Sequence, residues 1–332
     1  MCSVIIYTGC VSRKTTNVVA LGLMKNSAKK PRILAVIGKT ATGKSDLAVM
    51  LAKKYGGEII SADSRQVYRG FDLGSGKITR KEMQGIPHHL LDIASPKKQF
   101  SVSEYKRLAD RALGEIISRG KTPVICGGTG LYIDAVLKNI VVPEVPPNKK
   151  LREKLEKKTT AQLFVILKKL DPRRAKEIDR NNPRRLVRAI EIATALGKVP
   201  HLAVRPPSWD VLKIGLDLPD EILKKKIRTR LLMRMKKGMV AEAKNLHKCG
   251  LSWKQMEAFG MEYKYLALYL QNKITKKEMF EGIEKDTWQY SKRQATWFKK
   301  DKEIKWFKPM EKAKIIKEAE KFLKIDLLRK KK

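Results

Sequence analysis

The sequence predicts an α/β fold: a doubly wound parallel sheet with a helical insertion domain and a helical C-terminal part. Three observations point there. Short apolar runs alternate with amphipathic helices from residue 32 onward. One strand-to-helix turn carries glycines at a fixed spacing, and a Pro-rich break, "VVPEVPPNKK", precedes a stretch that reads as helix alone. With 42% hydrophobic residues among 332, the chain can bury a real core, and its length suits two domains or one domain with a large insertion.

Taken in order, "RILAVI" is a strand that runs into "GKTATGKSDL", Gly38 to Leu47. The spacing G-x-x-x-x-G-K-S between a strand and a helix is that of a phosphate-binding loop, which makes the fold P-loop NTPase-like. Small residues let the backbone N–H groups of Gly38, Lys39, Thr40, Ala41, Thr42, Gly43, Lys44 and Ser45 turn inward around phosphate oxygens. Lys44 adds charge at the terminal phosphates, and the Ser45 hydroxyl suits Mg²⁺. The loop alone does not distinguish hydrolysis, phosphate transfer and the departure of a diphosphate.

"KSDLAVMLAKKYG" follows as a helix closed by Gly56 and Gly57, and "EIISAD" as a second strand. "FSVSEYKRLADRALGEIISRGK" is a helix, "TPVICGG" a third strand, and "TGLYIDAVLKN" opens another helix. Beyond the Pro-rich break, "DRNNPRRLVRAIEIATALGK" has an Asn cap, Pro183 in its first turn and Gly197 as its stop. "VLKIGLDLP" returns to the sheet, and everything after Pro219 reads as helix except a last short strand, "IKWF". The expected division is 1–31, a disordered extension in which Met24 is an alternative start; 32–142 with 201–332, a P-loop core and its C-terminal helices; and 143–200, the insertion.

Composition narrows the partners. The formal charge of +39, from 73 Lys+Arg against 34 Asp+Glu, favours a polyanion. Cys2, Cys10, Cys126 and Cys249 form no C-x-x-C pair, which argues against zinc and against a disulfide framework and fits a reducing cytoplasm. No apolar run approaches the ~20 residues that span a bilayer. The head has a short apolar piece after Arg13 and Lys14 but lacks a clean signal-peptide core. A cytoplasmic monomer is expected.

Asp63 ends the second strand, beside the phosphate loop. The later strand that ends in an acid in ordinary ATPases here ends in Gly127-Gly128-Thr129-Gly130, so Asp63 is the one well-placed carboxylate. It suits water-mediated metal binding, helix capping or proton abstraction. The Gly-Gly-Thr turn either aims N–H groups and the Thr129 hydroxyl into the same cleft or simply packs closely. His88 and His89 face opposite ways on a strand, so a two-His metal site is not expected. Arg184, Arg185 and Arg188 suit phosphate-backbone contact, while Leu186 and Val187 between them lie towards packing surfaces. Among Arg228, Arg230 and Arg234, one guanidinium is expected to reach a diphosphate. "DTWQYSKRQATWFKK" interleaves cations with aromatics, which serve either base stacking or the core.

Together the runs "GKTATGKS", "ADSRQVYRGFDLGSGK", "PHHLLDI", "GGTGLY", "NNPRRLVRAIEI", "RTRLLMRM…GM" and "SKRQATWF" resemble the tRNA dimethylallyltransferases, the bacterial-type tRNA isopentenyltransferases, from about residue 32 to 307. The resemblance implies that the loop holds the diphosphate of dimethylallyl diphosphate, and that the exocyclic amine of the adenosine 3′ of the anticodon attacks the allyl chain. It implies Asp63 as general base, Thr129 and Arg230 as catalytic with Lys44 and Ser45 on the diphosphate, and Mg²⁺ as cofactor. It implies tRNA contacts at Asp63, Ser64, Arg65 and Gln66, at Arg184, Arg185, Leu186, Val187 and Arg188, and at Lys292, Arg293, Gln294, Thr296 and Trp297. The insertion is expected to grip the anticodon stem. Prenylation of free adenine nucleotides and small-molecule phosphorylation are the alternatives. Two departures stand out. Lys39 replaces the family's usual Pro and is expected to add charge near the phosphates, and Met261 stands where a tyrosine is common.

Overall fold

The structure, a computed structural model, describes residues 30–141, 143–201, 206 and 208–324. The expectations for the extreme N-terminal residues, Met24 included, and for the basic tail lie outside the described residues. Strand β1 (Arg32–Gly38), helix α1 (Lys44–Lys54), β2 (Gly57–Ala62), α2 (Arg80–Met83), β3 (His88–His89), α3 (Val102–Ser118), β4 (Thr122–Gly127) and α4 (Gly130–Leu137) make the first half. Helices α5 (Lys149–Leu155), α6 (Thr160–Leu170), α7 (Pro172–Glu177) and α8 (Pro183–Leu196) follow. The chain then returns through β5 (Asp210–Leu216), α9 (Asp220–Lys236), α10 (Met239–Lys248), α11 (Trp253–Phe259), α12 (Met261–Leu270), α13 (Lys276–Phe298), β6 (Lys305–Phe307) and α14 (Lys312–Lys324).

The six strands lie in the order β3-β2-β4-β1-β5-β6, and every neighbouring pair is parallel. In β1, Ile33, Ala35 and Ile37 enter one apolar core, while Leu34 and Val36 enter the core on the other face. Burial on both faces is why "ILAVI" is continuously apolar rather than alternating. Gly57 lets β2 approach β4, since a Cβ there would sit 2.4 Å from the Thr122 carbonyl oxygen. Because the sheet is wholly parallel, the phosphate loop, Asp63 and the Gly-Gly-Thr turn all emerge at one rim. Capping boxes open two long flanking helices, Ser101 with Glu104 at α3 and Thr275 with Glu278 at α13.

Helices α5 to α8 share an apolar cluster of their own, built on Leu155, Leu163, Leu167 and Ile190. Asn182 caps α8 by accepting from the Arg185 N–H, Pro183 occupies its first turn, and Gly197 ends it. The structure corrects two contacts expected here. Leu186 and Val187 are buried in that cluster, because they lie on the packed stripe of α8, so their side chains offer no surface to RNA. Arg188 donates to Glu191 (3.3 Å) and to the Val145 carbonyl (2.8 Å), tying α8 to the segment that precedes α5, whereas Arg184 and Arg185 stay exposed. Among the described residues, no helix is long and apolar enough to cross a membrane.

Candidate active site

Left-handed or strained backbone at Gly38 (φ 137°), Ala41 (φ 60°) and Gly43 (φ 87°) curls the loop after β1. Gly38 has no substitute, since a Cβ would lie 2.4 Å from the Leu216 carbonyl oxygen. The Thr42 hydroxyl and the Lys44 ammonium both donate to the Lys39 carbonyl, at 2.8 and 2.5 Å, closing the loop on itself. Burial pushes the Lys44 ammonium down to about 8; Arg230 pushes the same way, and Cys126 and Asp63 oppose it. Ser45, exposed at the start of α1, meets the Cys126 thiol, which burial pushes up to about 12 and so keeps protonated.

Lys39 corrects the expectation of an extra charge at the phosphates. Its side chain is buried and turned away, 2.7 Å from Asp217 and 3.4 Å from Asp220, and it donates to the Leu218 carbonyl at 3.1 Å. It therefore ties the loop to the β5–α9 junction. Its charge is neutralised there.

Asp63, half-buried just past β2, accepts at Oδ1 from the backbone N–H groups of Arg65 (2.8 Å) and Gln66 (3.3 Å). Among the described residues, Oδ2 accepts no protein hydrogen bond. The Thr129 hydroxyl accepts from the Ser64 N–H at 3.0 Å, joining the two turns. The Arg65 guanidinium is drawn away to the Phe259 carbonyl (2.5 Å) and lies over the Phe259 ring, and Gln66 reaches the Gly76 carbonyl at 3.4 Å.

One small cleft, of about 80 Å³, is lined by Thr40, Ala41, Asp63, Ser64, Arg65, Ser75, Ile227, Arg230, Arg234, Met261, Glu262, Thr287 and Tyr290. Arg230 donates to the Gly76 carbonyl at 2.8 Å, and burial together with Arg234 lowers its proton affinity. Arg234 is held by the Leu73 and Gly74 carbonyls and by Glu262 at 3.2 Å. Of the three arginines considered for the diphosphate, Arg228 is exposed and paired with Glu284 at 2.8 Å. Burial, with Asp63 adding to it, pushes the Tyr290 hydroxyl up to about 12, so it remains a neutral donor. Met261 lines the cleft at φ 45°, just after Gly260.

On α13, Lys292, Arg293, Thr296 and Trp297 are exposed. Trp297 packs on Gly130, where a Cβ would meet its ring at 2.4 Å, and its indole N–H donates to Asp134 at 3.0 Å. Gln294 departs from its expected role as an RNA contact. It is buried, accepts from the Thr40 N–H at 2.7 Å and donates to the Gly128 carbonyl at 2.9 Å, bracing the phosphate loop against the Gly-Gly-Thr turn. Neither Gln294's bracing nor the Arg234–Glu262 pair was legible in advance, because the partners stand far apart in sequence. Among the described residues, no group of three His, Cys, Asp or Glu side chains is placed to hold a metal ion.

Sheet, loop and cleft define a P-loop-type α/β protein in which a carboxylate and two arginines share a cleft with a phosphate seat. Residues 66–301 match the IPP transferase family model, and the chain belongs to that family. It is 43% identical to tRNA dimethylallyltransferase 2 of Treponema denticola, over 80% of this chain and 91% of that protein. It is 41% identical to tRNA dimethylallyltransferase of Caldanaerobacter subterraneus, over 80% and 88%. The full-length tRNA isopentenylpyrophosphate transferase of Bacillus halodurans aligns with a TM-score of 0.66 at 35% identity, covering 90% of this chain and 99% of that one. A eukaryotic dimethylallyltransferase solved acting on tRNA aligns with a TM-score of 0.68 at 25% identity, covering 81% and 70%.

Proposed function

We propose that this chain transfers a dimethylallyl group from dimethylallyl diphosphate to the exocyclic amine of the adenosine 3′ of the anticodon in tRNA, releasing diphosphate. The observation that carries the reading is the single cleft in which Asp63, Arg230 and the phosphate loop converge, in a chain more than 40% identical to tRNA dimethylallyltransferases. The amine's lone pair is delocalised into the ring, so it needs a base as its bond to carbon forms. Asp63 fits: Oδ1 is fixed by two backbone N–H groups, and Oδ2 takes the proton. The bond from the first allylic carbon to the diphosphate oxygen breaks, and Lys44, Arg230 and Thr129 stabilise the charge that builds on the diphosphate.

Mg²⁺ fits this seat: the exposed Ser45 hydroxyl at the start of α1 is a hard oxygen donor that would hold it beside the diphosphate. When bound, it supplies charge neutralisation at the departing group. The exposed Arg184, Arg185, Lys292 and Arg293 are the cations we assign to the RNA backbone. Residues 143–200 form the insertion that grips the anticodon stem, and their contacts offset the few kcal/mol that extruding the target base costs. The protein works as a cytoplasmic monomer in this reading.

The test is incubation with radiolabelled dimethylallyl diphosphate and either unmodified tRNA or AMP. Label in tRNA alone is expected. Label in AMP alone, or γ-phosphoryl transfer from ATP with no use of the allylic donor, refutes the reading.

A further inference from the structure

We propose that Glu242, on the first turn of α10, is a positioning residue for the prenyl donor, acting through the loop that aims Arg230. The proposal rests on the reading of Arg230 as a diphosphate contact. Glu242 Oε2 accepts from the N–H groups of Leu73 (2.6 Å) and Asp72 (3.2 Å), and Oε1 accepts from the Gly74 N–H (2.9 Å) and the Tyr263 hydroxyl (2.8 Å). Three successive amides converging on one point make the kind of concavity that binds an anion. Here the fold fills it with its own carboxylate.

Those amides belong to the stretch whose carbonyls hold the cleft arginines. The Leu73 and Gly74 carbonyls accept from Arg234 at 3.1 and 2.8 Å, and the Gly76 carbonyl accepts from Arg230 at 2.8 Å. Glu242 thus grips the loop by its N–H groups, and the loop grips the arginines by its oxygens. Packing leaves the loop little alternative. A Cβ at Gly74 would come 2.5 Å from the Tyr263 ring, one at Gly76 would come 2.1 Å from Arg230, and Tyr263 stacks on Phe71 at 3.9 Å. Among the described residues, the Gly76 carbonyl is the one hydrogen-bond partner of Arg230, so the direction of that half-buried guanidinium follows the loop.

The experiment measures KM for dimethylallyl diphosphate, the inhibition constant of inorganic diphosphate, tRNA affinity and melting temperature, in the full chain and in Glu242→Gln, Tyr263→Phe, Arg230→Ala and the Arg230→Ala/Glu242→Gln double variant. Glu242→Gln keeps the shape but loses the charge and turns an N–H donor towards amide donors. It should raise KM and the diphosphate inhibition constant together by about tenfold, with tRNA affinity within about twofold. Tyr263→Phe, which keeps the stacking and removes one hydrogen bond, should raise both by about threefold. In the Arg230→Ala background, Glu242→Gln should add less than about twofold, since residues acting through one contact are non-additive. Full additivity, or a fall in melting temperature with both constants unchanged, overturns the proposal. If Arg230→Ala alone leaves the diphosphate inhibition constant at the wild-type value, the reading of Arg230 fails and this proposal falls with it.

Discussion

Lys44 offers a prediction with a sign and a size. Its ammonium is drawn from an ordinary value of 10.5 down to about 8, chiefly by burial. That gap corresponds to ~3 kcal/mol against the charged form in the folded chain. It is an upper limit, because the side chain keeps some contact with solvent. Since the folded value lies below the unfolded one, the unfolded chain binds more protons between pH 8 and 10.5. The penalty is therefore fully present below about pH 8 and relieved as pH rises towards 10.5. Lys44→Met should accordingly stabilise the free protein at pH 7, by up to ~3 kcal/mol, and the advantage should shrink above pH 8. Donor binding needs the charge, so kcat/KM for dimethylallyl diphosphate should hold steady to about pH 8 and then fall, approaching tenfold per pH unit. Denaturant melts of both proteins between pH 7 and 10, with initial rates over the same range, check both halves. A pH-independent stability difference, or a kcat/KM flat to pH 9.5, refutes the placement of this ammonium in a poorly solvated seat.

Other outcomes follow from single contacts. Asp63→Asn keeps an acceptor for the Arg65 and Gln66 N–H groups, so melting should stay near wild type while transfer falls ~10²–10⁴-fold; near-normal turnover removes Asp63 as the base. Gln294→Ala leaves the buried Gly128 carbonyl short of its main donor, and equilibrium unfolding should show a loss of ~1–3 kcal/mol together with weaker donor binding. Arg184→Ala with Arg185→Ala should weaken tRNA binding and flatten its log–log salt slope by about one per lost phosphate contact; an unchanged slope takes both residues off the RNA. Gly76→Ala should raise KM for the donor, because its Cβ would displace the Arg230 guanidinium.

Much of this architecture was legible in the residues because it is local. Continuous apolar runs mark strands buried on both faces, Asn182-Pro183 marks a helix start, and the glycine spacing of the loop demands its backbone shape. What stayed hidden is pairing at a distance. Nothing near Lys39 says that its ammonium turns to Asp217, and nothing near Gln294 says that it braces Thr40, 254 residues earlier. Glu242 looks like an ordinary surface acid in "MVAEAKNL" until Leu73 and Gly74 fold against it. In α8 the helical period already set Leu186 and Val187 inward, and carrying the whole 184–188 run over as RNA contacts overlooked it.

The one-way direction of all six strands has a practical side. Every loop assigned to catalysis leaves from the same ends, so the turns entering β2 at Gly56 and β4 at Gly120-Lys121, all exposed, sit on the far edge. A dye or surface tether joined at Lys121 would therefore sit at the opposite end of the sheet from the Asp63–Arg230 cleft and leave its mouth open.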